Sequence, residues 1–236
     1  MAHREPLRNK SICLKYIILF GFFSFCHVAC TNRQHVALTD VQTDSSLRLP
    51  YYTTADFTPH WLKNNDEIPL ATHSIPEFSF SDQDGNTITQ EFTDGKIYVV
   101  NFFFTSCRGI CPKLSNNLKI VQDALLNDEQ VLLLSHSVMP ETDNIPALQR
   151  YAKNYGVINK RWHLLTGNKD AIYTIARQSY FADEDMGLQK PKDDFLHTEN
   201  ILLIDKHRHI RGIYKGTSQL EMQAIIEDIK ILEKEK

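Results

Sequence analysis

Two cysteines, Cys107 and Cys111, stand four positions apart in the run VVNFFFTSCRGICP, residues 99–112. An apolar stretch leads into them, and Pro112, which suits the first turn of a helix, follows directly. Residues i and i+4 share one helix face, so both sulfurs can meet on a first turn. The dipole and free N–H groups of a helix N-terminus stabilise thiolate, which is both the nucleophile of disulfide exchange and a ligand for soft metals. Such a pair can close a disulfide, grip a metal, or sit as two inert thiols. A bridge over so short a loop removes little chain entropy, so reactivity explains the spacing better than stapling.

The elements around the pair predict where it sits. Residues 96–104 form a continuous apolar run, as expected of a strand covered on both faces, and 130–137 (QVLLLSHS) form a second. Leu114, Leu118, Val121 and Leu125 recur at helical spacing after Cys111. Upstream, 75–80 alternates, Asp84 and Gly85 signal a turn, and 87–92 reads as the returning strand of a hairpin. Before it, Pro50, Tyr51, Tyr52 and the stretch 57–61 (FTPHW) read as an aromatic lead-in docked on the domain surface. Downstream, helices are expected over 145–155 and 169–178, and a short strand over 161–165. Two more strands follow over 198–205 and 209–214. A closing amphipathic helix over 218–233 turns Met222, Ile225, Ile226, Ile229 and Leu232 inward. This order predicts an α/β fold: a thioredoxin-like central sheet flanked by helices, with an added N-terminal β-hairpin. The cysteines fall outside the carboxyl end of the first central strand, where open α/β sheets place their chemistry.

His197 bears on which chemistry that is. It directly precedes the apolar run 198–205, after the acidic, irregular stretch 183–194. In a thioredoxin-like layout the start of this strand lies across from the cysteine turn. Thiol–disulfide exchangers usually carry a cis-proline there; here Pro191 is the nearest one upstream. An imidazole at that point could supply a third ligand. Two thiolates and one imidazole suit copper, since sulfur favours Cu(I) and nitrogen helps retain Cu(II). The other histidines read differently. His136 closes an apolar strand and reads as a core or hydrogen-bonded residue, His163 lies within a short strand, and His207 and His209 flank a turn and read as solvated.

The 236 residues, 42% hydrophobic and 23% charged, suit one globular domain plus an extra segment. A formal net charge of -3 argues against a general nucleic-acid binder. There is no Gly-rich phosphate loop, HExxH motif or internal repeat. Arg4, Arg8, Lys10 and Lys15 precede the apolar run 16–26. At about 11 residues, that run falls short of the roughly 20 that span a bilayer as a helix. It has the order of an export signal. Cys30 follows Ala29 as in a bacterial lipobox, with His27 where an aliphatic residue is usual. These features predict a signal peptide over 1–29, a lipid-anchored flexible tether over 30–49 and a folded domain over 50–236. The domain would face the periplasm or the cell exterior. An ordinary cleaved signal or a short uncleaved anchor would also put it outside the cytoplasm. With Cys13 and Cys26 removed and Cys30 lipidated, Cys107 and Cys111 alone remain of five cysteines.

Three segments together resemble the Sco/SenC family of copper proteins, which help assemble the CuA centre of cytochrome c oxidase. They are the CxxxCP segment at Cys107 to Pro112, the WHLLTG turn at Trp162, and His197 ahead of the ILLID strand at Ile201. The likeness covers about residues 50–232. It implies a thioredoxin-like fold with Cys107, Cys111 and His197 as copper ligands. It also implies a partner that is the CuA-bearing oxidase subunit or another copper carrier. Two departures stand out: Arg108-Gly109 where the family often has Pro-Asp, and Met139-Pro140 where an Asp-Pro pair is expected. The resulting expectation is a membrane-tethered copper chaperone whose redox-active Cys107/Cys111 pair gates metal binding. The rival is a metal-free thiol–disulfide oxidoreductase acting on exported proteins, in which His197 would be idle.

Overall fold

Strand lengths in this chain follow the lengths of its apolar runs. The computed structural model describes residues 48–62, 68–69, 72–182, 196 and 198–235. The first strands, β1 (Tyr51–Tyr52), β2 (Pro59–His60), β3 (Ser79–Ser81) and β4 (Thr87–Thr89), are short and interrupted by polar residues. The expected returning strand stops at Thr89, where the short helix α1 (Gln90–Thr93) begins. Local bonds favour that turn: Thr93 Oγ1 donates to the Gln90 carbonyl and Gln90 Nε2 to Asp94 Oδ1. The seven-residue strands β5 (Ile97–Phe103) and, after helix α2 (Cys111–Ala124), β6 (Val131–Ser137) are buried throughout. Helix α3 (Ile145–Tyr155), strand β7 (Trp162–Leu165) and helix α4 (Lys169–Gln178) follow. The antiparallel pair β8 (Asn200–Ile204) and β9 (Ile210–Lys215) precedes the closing helix α5 (Gln219–Lys234).

Seven strands form one sheet in the order β2-β1-β9-β8-β5-β6-β7, and β3 and β4 form a separate hairpin. Strands β5, β6 and β7 are parallel, whereas β8 runs antiparallel to β5 with Val100 opposite Leu202. This register sets the start of β8 beside the carboxyl end of β5. The lead-in predicted to dock on the surface instead extends the sheet, with Tyr52 paired to Ile210. Side-chain alternation along β5 feeds two cores. Val99 and Phe103 join Leu118, Leu148 and Ile225 of α2, α3 and α5 on one face. Tyr98, Val100 and Phe102 join Ile172 of α4 and Phe80 and Ile88 of the hairpin on the other.

Helices α3, α4 and α5 begin at polar caps, where Asn144, Asn168 and Ser218 side chains accept from the N–H groups of Ala147, Ala171 and Glu221. Helix α3 stops at Gly156, whose φ of 66° suits a residue without Cβ. The N-terminal end of the domain is pinned by Arg211, 2% exposed. Its guanidinium donates to the carbonyls of Leu49 and Pro50 and to Asp205 and Glu235, and lies 4.0 Å from the centre of the Tyr51 ring. The expected signal segment and Cys30 lie outside the described residues. So do His197 and the acidic stretch 183–194 before it, whereas Leu196 is described. Among the described residues, no helix is long and apolar enough to cross a membrane.

Candidate functional site

Strand β5 delivers the chain to a turn at Phe104, whose carbonyl accepts from the Cys107 N–H at 3.3 Å. Helix α2 then starts at Cys111, with Pro112 in its first turn. Unlike α3, α4 and α5, it has no side-chain oxygen cap; Ile110 stands at that position. The Cys107 sulfur stands just ahead of this helix start, where the N–H groups of Cys111, Gly109 and Ile110 and the Cys111 thiol favour its thiolate form. Both cysteines are free thiols.

The two thiols are unequal. Burial opposes ionisation of Cys107, yet those four donors outweigh it and hold the thiol below its ordinary value. Cys111 is only 4% exposed. Burial, together with the Cys107 thiol beside it, pushes its thiol up to about 12. The pair therefore holds one negative charge more readily than two. Cys107 is half-buried and reaches solvent, while Cys111 faces the core.

A cleft of about 140 Å³ opens over both sulfurs. Its walls are apolar: Phe104 and Ile110 from the cysteine turn, Val138 from beyond β6, and Leu196 and Thr198 from the approach to β8. Leu196 and Thr198 are the chain neighbours of His197 on either side. The antiparallel register of β8 on β5 is what brings this stretch to the cysteines. Among the described residues, no group of three or more His, Cys, Asp or Glu side chains is arranged to hold a metal ion. The two described members of the expected ligand set do come together.

The remaining histidines have other employments. His136 is wholly buried among Phe80, Phe102 and Tyr180, as expected of a core residue, and neither ring nitrogen has a partner. The His163 ring nitrogen Nδ1 lies 3.1 Å from Asp82 Oδ2. His209, read as solvated, is half-buried, its Nδ1 2.9 Å from the His73 carbonyl oxygen. Sequence reading passed over Asp143. Its buried carboxylate accepts from the Thr105 N–H at 3.0 Å, from Thr105 Oγ1 at 2.6 Å and from Ser137 Oγ at 2.6 Å. Nothing local in the sequence signals this contact, because Asp143 and Thr105 are 38 positions apart.

A parallel β5-β6-β7 core with an antiparallel β8-β9 pair, and a two-thiol turn leaving the first central strand, defines a thioredoxin-like domain. Within that class the chain belongs to the SCO1/SenC family, which it matches over residues 67–233. It is 28% identical over 162 residues to the SCO1 protein homolog of Bacillus subtilis, spanning 67% of this chain and 82% of that one. Its structure is similar to that of BsSco, a member of the Sco family of cytochrome c oxidase assembly proteins in which a disulfide switch was identified. The TM-score is 0.57 at 25% identity, over 68% of this chain and 93% of that chain. It also shares its fold with Bradyrhizobium japonicum ScoI, solved with copper bound, at a TM-score of 0.54 and 21% identity, over 68% of this chain and 99% of that chain.

Proposed function

We propose that this protein binds copper through Cys107, Cys111 and His197 and passes it on during assembly of the CuA centre of cytochrome c oxidase. The observation that carries this reading is the convergence of two free thiols on one apolar cleft lined by both neighbours of residue 197. Two soft sulfur donors and one nitrogen donor suit copper in either oxidation state. The apolar walls favour a desolvated exchange of ligands once a partner docks over them. The family relationship and the copper-bound relative support the same cargo. A lipid on Cys30 would keep the domain near its membrane-bound partner, outside the cytoplasm. The test is metal content and spectroscopy of the reduced, anaerobically purified domain. One copper per chain is expected, and His197→Ala should weaken it by about 10-fold or more. Unchanged stoichiometry, affinity and spectrum in His197→Ala would remove the histidine from the ligand set.

One observation favours a second reading, that of a thiol–disulfide reductase. The accessible Cys107 has a lowered thiol pKa and the buried Cys111 a raised one, a division that suits attack by the first and resolution by the second. Reduction of a model disulfide protein with metal excluded, and inhibition of that turnover by copper, would favour this role.

A further inference from the structure

For the cysteine pair to act as a unit, whether toward a metal or toward a disulfide, the two sulfurs must be held at a fixed separation. Cys111 is fixed by belonging to α2 and by burial. Cys107 stands on the turn between β5 and α2, and its position depends on what holds that turn. Thr105, two residues before it, gives both its N–H and its hydroxyl to the Asp143 carboxylate. Both carboxylate oxygens are used: Oδ1 takes the Thr105 hydroxyl, and Oδ2 takes the Thr105 N–H and the Ser137 hydroxyl.

The other end of this bridge is itself well fixed. Asp143 N–H donates to the Met139 carbonyl at 2.9 Å, and Val138 N–H donates to the Phe103 carbonyl at 2.9 Å. The Tyr173 hydroxyl donates to the Val138 carbonyl at 3.0 Å. Asp143 therefore couples the cysteine turn to the loop that bears Val138, which also lines the cleft.

We propose that Asp143 is a positioning residue for the cysteine pair: acting through Thr105, its buried carboxylate sets where Cys107 sits against Cys111. This deepens the proposed function, yet it concerns the pair itself and holds with or without copper. Asparagine at 143 removes the charge and replaces one acceptor oxygen with an NH2 that only donates, so the charge-assisted bonds from Thr105 and Ser137 are weakened. A looser turn lowers the effective concentration of one thiol near the other, which weakens both disulfide closure and two-sulfur metal binding.

The experiment measures the pair without metal. Reduced protein is equilibrated with oxidised and reduced glutathione. The reaction is Cys107–SH plus Cys111–SH plus oxidised glutathione giving the intramolecular disulfide and two reduced glutathiones, with both thiol hydrogens passing to glutathione. Asp143→Asn should lower the equilibrium constant about tenfold, the scale on which residues behind a site change it, equivalent to about 30 mV in potential. Thr105→Val should lower it as well, and Thr105→Ser, which restores the hydroxyl, should return it to wild type. Ser135→Ala breaks buried bonds to Asn101 and Trp162 away from the turn and should leave the constant unchanged. If Asp143→Asn proves too unstable to purify, the Thr105 pair of variants decides. The proposal is overturned if Asp143→Asn and Thr105→Val stay within about twofold of wild type. It is equally overturned if Ser135→Ala shifts the constant as far as they do. Because no metal is present, a shift in a protein that fails to bind copper sinks the copper reading alone.

Discussion

Replacing His136 with leucine should flatten part of the acid sensitivity of this fold. His136 is wholly buried, and neither ring nitrogen has a hydrogen-bond partner. Burial alone drives its pKa from 6.5 down to about 3. As pH falls through 6.5 the unfolded chain takes up a proton at this site while the folded protein does not. The stabilising difference is thus fully present above about pH 6.5 and declines as the pH drops toward the folded value. Between about pH 7 and pH 5, RT ln[(1 + 10^1.5)/(1 + 10^-0.5)] gives a loss of about 2 kcal/mol from this one ring. Any folded pKa below about 4 gives nearly the same figure over that interval. His163 is shifted in the same direction, by burial against the pull of Asp82, and its share is common to both proteins. Urea unfolding of the reduced domain at the two pH values measures the difference directly. The wild type should lose about 2 kcal/mol more than His136→Leu. At pH 7 the variant should be at least as stable as wild type, since it removes two unsatisfied buried polar atoms, each of which costs about 1–3 kcal/mol. Equal losses in the two proteins, to within about 0.5 kcal/mol, would refute the reasoning and mean that the folded ring gains its proton in this range.

Two further outcomes follow from the described contacts. Arg211→Met should destabilise the domain by about 3–5 kcal/mol, because it strands the Asp205 and Glu235 carboxylates. It should also release the stretch at Leu49 and Pro50, which urea unfolding together with limited proteolysis would register. Iodoacetamide should label Cys107 well before Cys111 in the reduced native protein at neutral pH, and peptide mass mapping would show the order. Equal labelling without unfolding would contradict the burial and the raised thiol pKa of Cys111.

The sequence carried the central elements because their signals are local. Helices α3 and α4 fall on the predicted residues, since apolar spacing coincides with an asparagine cap at each start. Strands β5 and β6 match within a residue of the apolar runs. Strands β1 and β2 were illegible as strands, because two residues have no periodicity and only an open sheet edge at β9 makes them pair. The fate of each histidine was likewise decided by distant partners: His163 by Asp82 and His209 by the His73 carbonyl.

What the residues alone determined is that Cys107 and Cys111 lie close together where β5 gives way to α2, because only three residues separate them; the expected sharing of a first helical turn did not hold, since α2 begins at Cys111. Tertiary structure alone decided which thiol is exposed, that residues 196 and 198 line the same cleft as both sulfurs, and that Asp143 grips the turn from 38 positions away. These depend on the antiparallel seating of β8 on β5 and on the packing of the loop after β6. Contacts of that kind arise from burial and register between distant segments, which leave no periodic mark on either segment by itself.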